Sequence, residues 1–174
     1  MSRRRGDFLP IRLQASYQRP YIVTTFAQNN ARNQEHSMSD IQITVHDRAG
    51  RRCASSGSKW EPIMGYSRAV RSGNTIAVTG SVGVNADGSY DPSLGRQAAR
   101  SLAIIQASIE ALGGKIEHVI RTRMYVTDVS KWEEVARVHG EVFKEIRPAT
   151  TIVEVPRLID ADAQIEIEAD AIVP

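Results

Sequence analysis

Cysteine is almost absent from this 174-residue chain, Cys53 being the only one. A single thiol excludes an internal disulfide framework and fits a reducing compartment. Histidine is scarce as well: His36, His46, His118 and His139 are scattered, with no H-x-x-x-H or C-x-x-C spacing. No metal site is expected from such a pattern, and no other cofactor motif is present. Long apolar runs are missing too, none approaching the roughly 20 residues of a membrane span. The expectation is a soluble, cytoplasmic protein without a membrane partner.

What is present is ordinary globular composition, with 41% hydrophobic and 24% charged residues, enough for one domain with a real core. The net charge of +2 hides an asymmetry. Residues 1–37 hold six arginines against Asp7 and Glu35, a surplus of +4, which leaves −2 for the remainder. A nucleic-acid-binding domain needs a basic face on its folded part, and the body has no extended one. The basic segment shows no sustained periodicity and lacks the apolar stretch of a secretory signal. It is read as a disordered extension, with a transit peptide or an over-long start before Met38 as alternatives, and residues 38–174 as a single domain.

Within that domain "DIQITVH" alternates as a short strand, with Ile41, Ile43 and Val45 on one side. "RAGRRCASSGSKWEPIMG" is turn-rich and reads as loop. "YSRAV" and "TIAVTG" flank a Gly-Asn turn and predict a hairpin. "NADGSYD" reads as a turn, with too few acidic ligands for a calcium loop. Ala98, Leu102, Ile105, Ile109 and Leu112 form the stripe of a helix that stops at Gly113-Gly114. "IRTRMYVTD" alternates again. Ser130 and Glu133 suggest a capping box opening a second helix, whose stripe is Val135, Val138, Val142 and Ile146. Pro148 prevents its continuation, and "TTIVEV" and "AQIEIEADAIV" finish the chain as strands. The order β-β-β-α-β-α-β-β implies an α+β layer pair, two helices on one face of a mixed sheet. The other face carries mixed residues that a partner subunit would cover.

Several ordered stretches, "GYSRAVRSGNTIAVTG" (65–80), "GRQAARSLAIIQASIEALGG" (95–114), "VIRTRMYVTDVSKW" (119–132) and "RPATTIVEVPRLIDADAQIEIEADAI" (147–172), resemble the RidA/YjgF family, also called the L-PSP endoribonuclease superfamily. The resemblance spans roughly residues 50–174. It implies a chorismate-mutase-like fold and a homotrimer with clefts between subunits. In the family's deaminating members the cleft takes an imine or enamine of a 2-amino acid and releases ammonia and a 2-oxo acid. Carried over, the water-holding glutamate falls on Glu166, a wall tyrosine on Tyr66, a hydroxyl residue on Thr79 and a backbone amide on Ile152. The arginine that clamps the substrate carboxylate falls on Thr150, where this chain departs from the deaminase pattern.

The departure has chemical weight. A guanidinium gives a carboxylate two parallel charged donors. A threonine hydroxyl gives one neutral donor, about 1 kcal/mol against roughly 1.5–3 for a charged bond. A 2-imino acid should therefore bind one to two orders of magnitude more weakly, by roughly that difference. Arg68, two residues after Tyr66, is a candidate replacement clamp from another wall, and Arg147 a second, although a basic residue at a helix end usually caps it.

The bland alternatives are equally concrete. Glu166 and Glu168 read equally as a solvated face paired with Arg121 or Arg123, Arg68 as a surface arginine, His139 as a packing histidine. Trp60 is either a cleft cover or a packing plug. Cys53 has no sequence-adjacent histidine to activate it. Three candidate functions remain: a small-molecule hydrolase in which Glu166 activates water against a C=N bond, a non-catalytic trimeric metabolite-binding protein, and an RNA-cleaving enzyme. The acidic body argues against the third.

Overall fold

A computed structural model describes residues 40–174; the basic segment 1–37 lies outside the described residues. The chain runs β1 (Thr44–Arg48), β2 (Arg51–Ser55), α1 (Trp60–Met64), β3 (Ala69–Ser72), β4 (Thr75–Val82), α2 (Leu94–Ala111), β5 (Val119–Val126), α3 (Trp132–Phe143), β6 (Ala149–Glu154) and β7 (Ile165–Ile172). The seven strands form one sheet in the order β1-β2-β3-β4-β7-β5-β6, antiparallel throughout except for the β5–β6 pair.

Alternation decides which side of each strand is buried. In β7, Ile165, Ile167, Ala169 and Ala171 are buried under the helices, and Glu166, Glu168 and Asp170 emerge on the opposite, open face. In β5, Thr122, Met124 and Val126 are buried beneath the helices, and Arg121, Arg123 and Tyr125 lie on the open side. The expected stripe of α2 (Ala98, Leu102, Ile105, Ile109, Leu112) is fully buried. Val135 and Phe143 of α3 enter the same core, with Val138, Val142 and Ile146 packed against it. Burying an Ile or Leu of this kind contributes about 1.5–3 kcal/mol.

The structure departs from the sequence expectations in several places: the first strand, expected over residues 40–46, is Thr44–Arg48, exposed along its length, with Ile41 and Ile43 ahead of it. The stretch read as loop contains β2 and the one-turn helix α1. Ala49 and Gly50 both have positive φ (50° and 74°) and join Arg48 to Arg51, the two-residue connection of a type I′ hairpin. Ala-Gly is a poor signal for that turn, because alanine tolerates the left-handed region badly. The Ser130–Glu133 capping box does not form. Asp128 instead accepts from Ser130 N (3.1 Å) and Ser130 Oγ (2.5 Å) and opens a 3-10 turn that delays α3 to Trp132. Trp60 is 39% exposed, with Lys59 Nζ 5.1 Å from its ring centre, so it is not a packing plug.

A bulge in β4 shapes the open face beside Glu166. Val78 pairs with Ala169 and Ser81 with Ile167, so Thr79 and Gly80 together face Glu168. The extra residue reverses the alternation: Ile76, Val78 and Ser81 lie on the helix side, and Val82 joins Glu166 on the open face.

Candidate functional site

The open face brings three carboxylates of β7 into a row, and their neighbours sort them. Arg123 of β5 pairs with Glu168 (3.2 Å) and Asp170 (3.2 Å), and Tyr125 Oη donates to Glu168 at 2.9 Å. Among the described residues Glu166 forms no ion pair. It lies between Val82 and Tyr125 in register and packs its carboxylate onto β4. A Cβ added to Gly80 would come 1.9 Å from Glu166 Oε1, so only glycine permits this placement. Burial raises the Glu166 carboxyl above its ordinary range. The Arg68 charge pulls it back, and the like charge of Glu168 pushes in the same direction as burial.

Arg68 is itself buried at 8% exposure, not a surface arginine. Its Nη1 donates to Gly80 O (2.8 Å) and Ser81 Oγ (3.2 Å), its Nε to Ser56 Oγ (3.3 Å) and its Nη2 to Tyr66 Oη (3.4 Å). Four of the five N–H donors of a guanidinium are thereby engaged. A bidentate grip on a substrate carboxylate would have to break this set. The arginine acts as a fixed positive charge, tied to the glycine on which Glu166 rests. Glu61 of α1 supplies its other neighbour. Burial works to raise the Glu61 carboxyl, but hydrogen bonds from Ser55 Oγ, Ser56 N (2.9 Å) and Ser56 Oγ (2.9 Å), with the Arg68 charge, outweigh it and hold it ionised.

Tyr66, Thr79, Arg68 and Glu166 thus share one neighbourhood. Thr79 N donates to Arg68 O (3.0 Å) and Thr79 Oγ1 to Ser67 O (3.0 Å), which ties the bulge to the segment before β3. Thr150 and Ile152 lie elsewhere. They occupy the edge strand β6, separated from β7 by β5, and pair with Thr122 and Met124 on the helix side of the sheet. Thr150 Oγ1 lies 2.9 Å from Thr122 Oγ1, which lies 3.0 Å from His139 Nε2 of α3. Arg147 adopts φ 53° after α3, donates from N to Phe143 O (2.8 Å) and from Nε to Lys144 O (3.1 Å), and so closes the helix end.

Sequence reasoning missed four participants. Glu61 lies in a stretch whose sequence reads as loop and forms α1. Gly80 betrays itself only through the bulge. Tyr90 follows the Asp87-Gly88 turn and is held opposite Val84. Burial, then the charge of Asp160 and a hydrogen bond to it, with Asp162 and Glu166 adding less, push its hydroxyl up to about 12, so it stays neutral. Gln97, fully buried in α2, donates to Asp91 O (2.9 Å) and Asp162 O (3.0 Å) and accepts from Gln164 N (2.8 Å), anchoring the chain where it enters β7. Gln97 lies beside the apolar stripe, in line with the buried Ser101 and Ser108, so the pattern of spacing did not mark it. Among the described residues no group of three or more His, Cys, Asp or Glu is placed to hold a metal, and no helix is long and apolar enough to cross a membrane.

Comparison with known proteins places the chain among relatives. Residues 56–173 match the family model described as endoribonuclease L-PSP. The chain is 34% identical over 119 residues to an uncharacterised protein of Streptomyces coelicolor, covering 67% of this chain and 87% of that one. It is 34% identical over 111 residues to 2-iminobutanoate/2-iminopropanoate deaminase of Escherichia coli K12, covering 62% and 86%. A crystal structure of a YjgF/YER057c/UK114 family member from Mycobacterium tuberculosis superposes with a TM-score of 0.66 at 41% identity, covering 71% of this chain and 99% of that chain.

Proposed function

Because the chain belongs to the endoribonuclease L-PSP family, the RidA/YjgF group, we propose that it is a cytoplasmic homotrimer hydrolysing C=N bonds of a small imine or enamine metabolite. The observation that carries this reading is the sorting of the carboxylates. Arg123 takes Glu168 and Asp170, and Glu166 is left half-buried, raised by burial and unpaired among the described residues. A carboxylate so placed accepts a proton from water as the water oxygen attacks the imine carbon. The tetrahedral intermediate then takes a proton at nitrogen, the C–N bond breaks, and ammonia and a carbonyl product leave. The Arg68 charge opposes the effect of burial and favours the ionised form of Glu166 that acts as base.

Thr150 and Ile152 line the same cleft in this reading only if a neighbouring subunit brings them, since β5 separates them from Glu166 within one chain. The test is ammonia release from imines generated by an amino-acid oxidase, with wild type, Glu166→Gln and Thr150→Arg side by side. Glu166→Gln should lose about 10²–10⁴-fold in turnover and keep its ligand affinity. An equally active Gln variant sinks the mechanism. Absence of turnover from every variant leaves the protein as a trimeric metabolite-binding module.

A further inference from the structure

The inference concerns Thr150 and rests on the reading that this residue lines the substrate cleft. Its hydroxyl has one proton. Thr150 Oγ1 is 3.1 Å from Pro148 O, a carbonyl that can only accept, and 2.9 Å from Thr122 Oγ1. Thr122 is fully buried and lies 3.0 Å from His139 Nε2. All three contacts are hydrogen bonds at once in a single proton assignment. His139 Nε2–H donates to Thr122, Thr122 donates to Thr150, and Thr150 donates to Pro148 O. Burial holds the His139 imidazole below its ordinary range, and the neutral ring carries its proton on Nε2 in this arrangement. A charged ring would donate from the same atom, so the direction of the chain does not depend on its protonation state.

The consequence is an inversion of polarity. Thr150 is exposed on the edge strand with its proton already taken by Pro148 O, so what its oxygen has left to offer is a lone pair. We infer that the ligand group held at Thr150 is an N–H or O–H donor, such as a carboxamide, and not a carboxylate. Thr150 is thereby a specificity-determining residue, and Thr122 and His139 are positioning residues behind it. A carboxylate there would meet an acceptor, and Arg147, the nearest arginine along the chain, is folded back onto α3. A carboxamide of the same shape supplies the donor the oxygen needs.

The discriminating experiment measures dissociation constants of 2-oxobutanamide and 2-oxobutanoate, a pair differing only in the terminal group, by ligand-observed NMR on the full chain. Wild type should prefer the amide by about tenfold. Thr150→Ser should keep that preference, Thr150→Val should erase it, and Thr150→Arg should reverse it. Equal or tighter binding of the oxo acid by wild type, an unchanged preference in Thr150→Val, or no binding of either compound overturns the inference. A ¹⁵N spectrum of His139 adds a readout independent of any ligand: the proton is expected on Nε2, and an Nδ1–H tautomer overturns it equally. Failure of the hydrolytic mechanism is read from turnover of Glu166→Gln, and failure of this inference from the amide-to-acid ratio of wild type against Thr150→Val, so the two are distinguishable.

Discussion

Gly80 and Arg68 govern the carboxylate without reacting themselves. Gly80 carries no side chain and so leaves room for Glu166 Oε1 over β4. Gly80→Ala would drive the carboxylate off the strand by more than an ångström, a misplacement that costs about 10²-fold in turnover. The expected result is a fall in kcat with KM little changed, and an unaltered kcat would show that the placement is irrelevant. Arg68→Met removes the charge that opposes burial, so the Glu166 titration, followed by ¹³C NMR, should move to still higher pH. The same raised carboxyl bears on stability. A folded-state pKa above the ordinary 4.5 means that the folded protein holds this proton more tightly than the unfolded chain. The stabilisation is full below that value and is lost as pH rises through the folded pKa. Glu166→Gln should therefore gain stability relative to wild type at about pH 7, and the gain should shrink towards about pH 4 in urea titrations. A gain that grows on acidification would contradict the assignment.

At the scale of elements, the β1–β2 hairpin offers a clean test of turn chemistry. Ala49 at φ 50° bears the left-handed strain that asparagine tolerates better, and Asn-Gly favours a type I′ turn. Ala49→Asn should stabilise the protein by about 0.5–1 kcal/mol in urea unfolding, and destabilisation would mean that the turn is of another type. This hairpin also marks where legibility stopped. β4, β5, β7 and the α2 stripe were readable because alternation and three-to-four-residue spacing report burial directly. β2 was not, because "RRCAS" pairs through its backbone and carries no clean alternation. The Ser130 cap failed for a related reason: Asp128 competes for the same local donors, and the sequence does not say which wins. Glu166 was singled out through resemblance alone. Glu61, Tyr90 and Gln97 were not, since their roles come from contacts between segments distant in sequence, such as Gln97 with Gln164.

For the whole molecule, the separation of Glu166 from Thr150 is the telling geometry. The two residues lie on opposite faces of the sheet, with β5 between their strands. One chain cannot place both against a single small ligand, whereas a closed ring of subunits can, each cleft taking Glu166 from one copy and Thr150 from the next. The open face has the composition for such an assembly, its Arg123–Glu168–Asp170 cluster flanked by the exposed Val153 and Ile172. Shared sites make a complementation experiment decisive. Glu166→Gln removes the base, and Thr150→Trp fills the opposite wall, so each variant should be inactive alone. Unfolded, mixed in equal amounts and refolded together, the two variants of the proposed trimer should form hybrid rings in which one cleft of three combines an intact Glu166 with an intact Thr150. Random assembly of trimers then restores about a quarter of wild-type activity. Recovery at that level requires the cleft to lie between subunits. Mixtures as inactive as their components, with exchange verified by mass, would place both residues outside a common site and return Thr150 to a structural role in the edge strand.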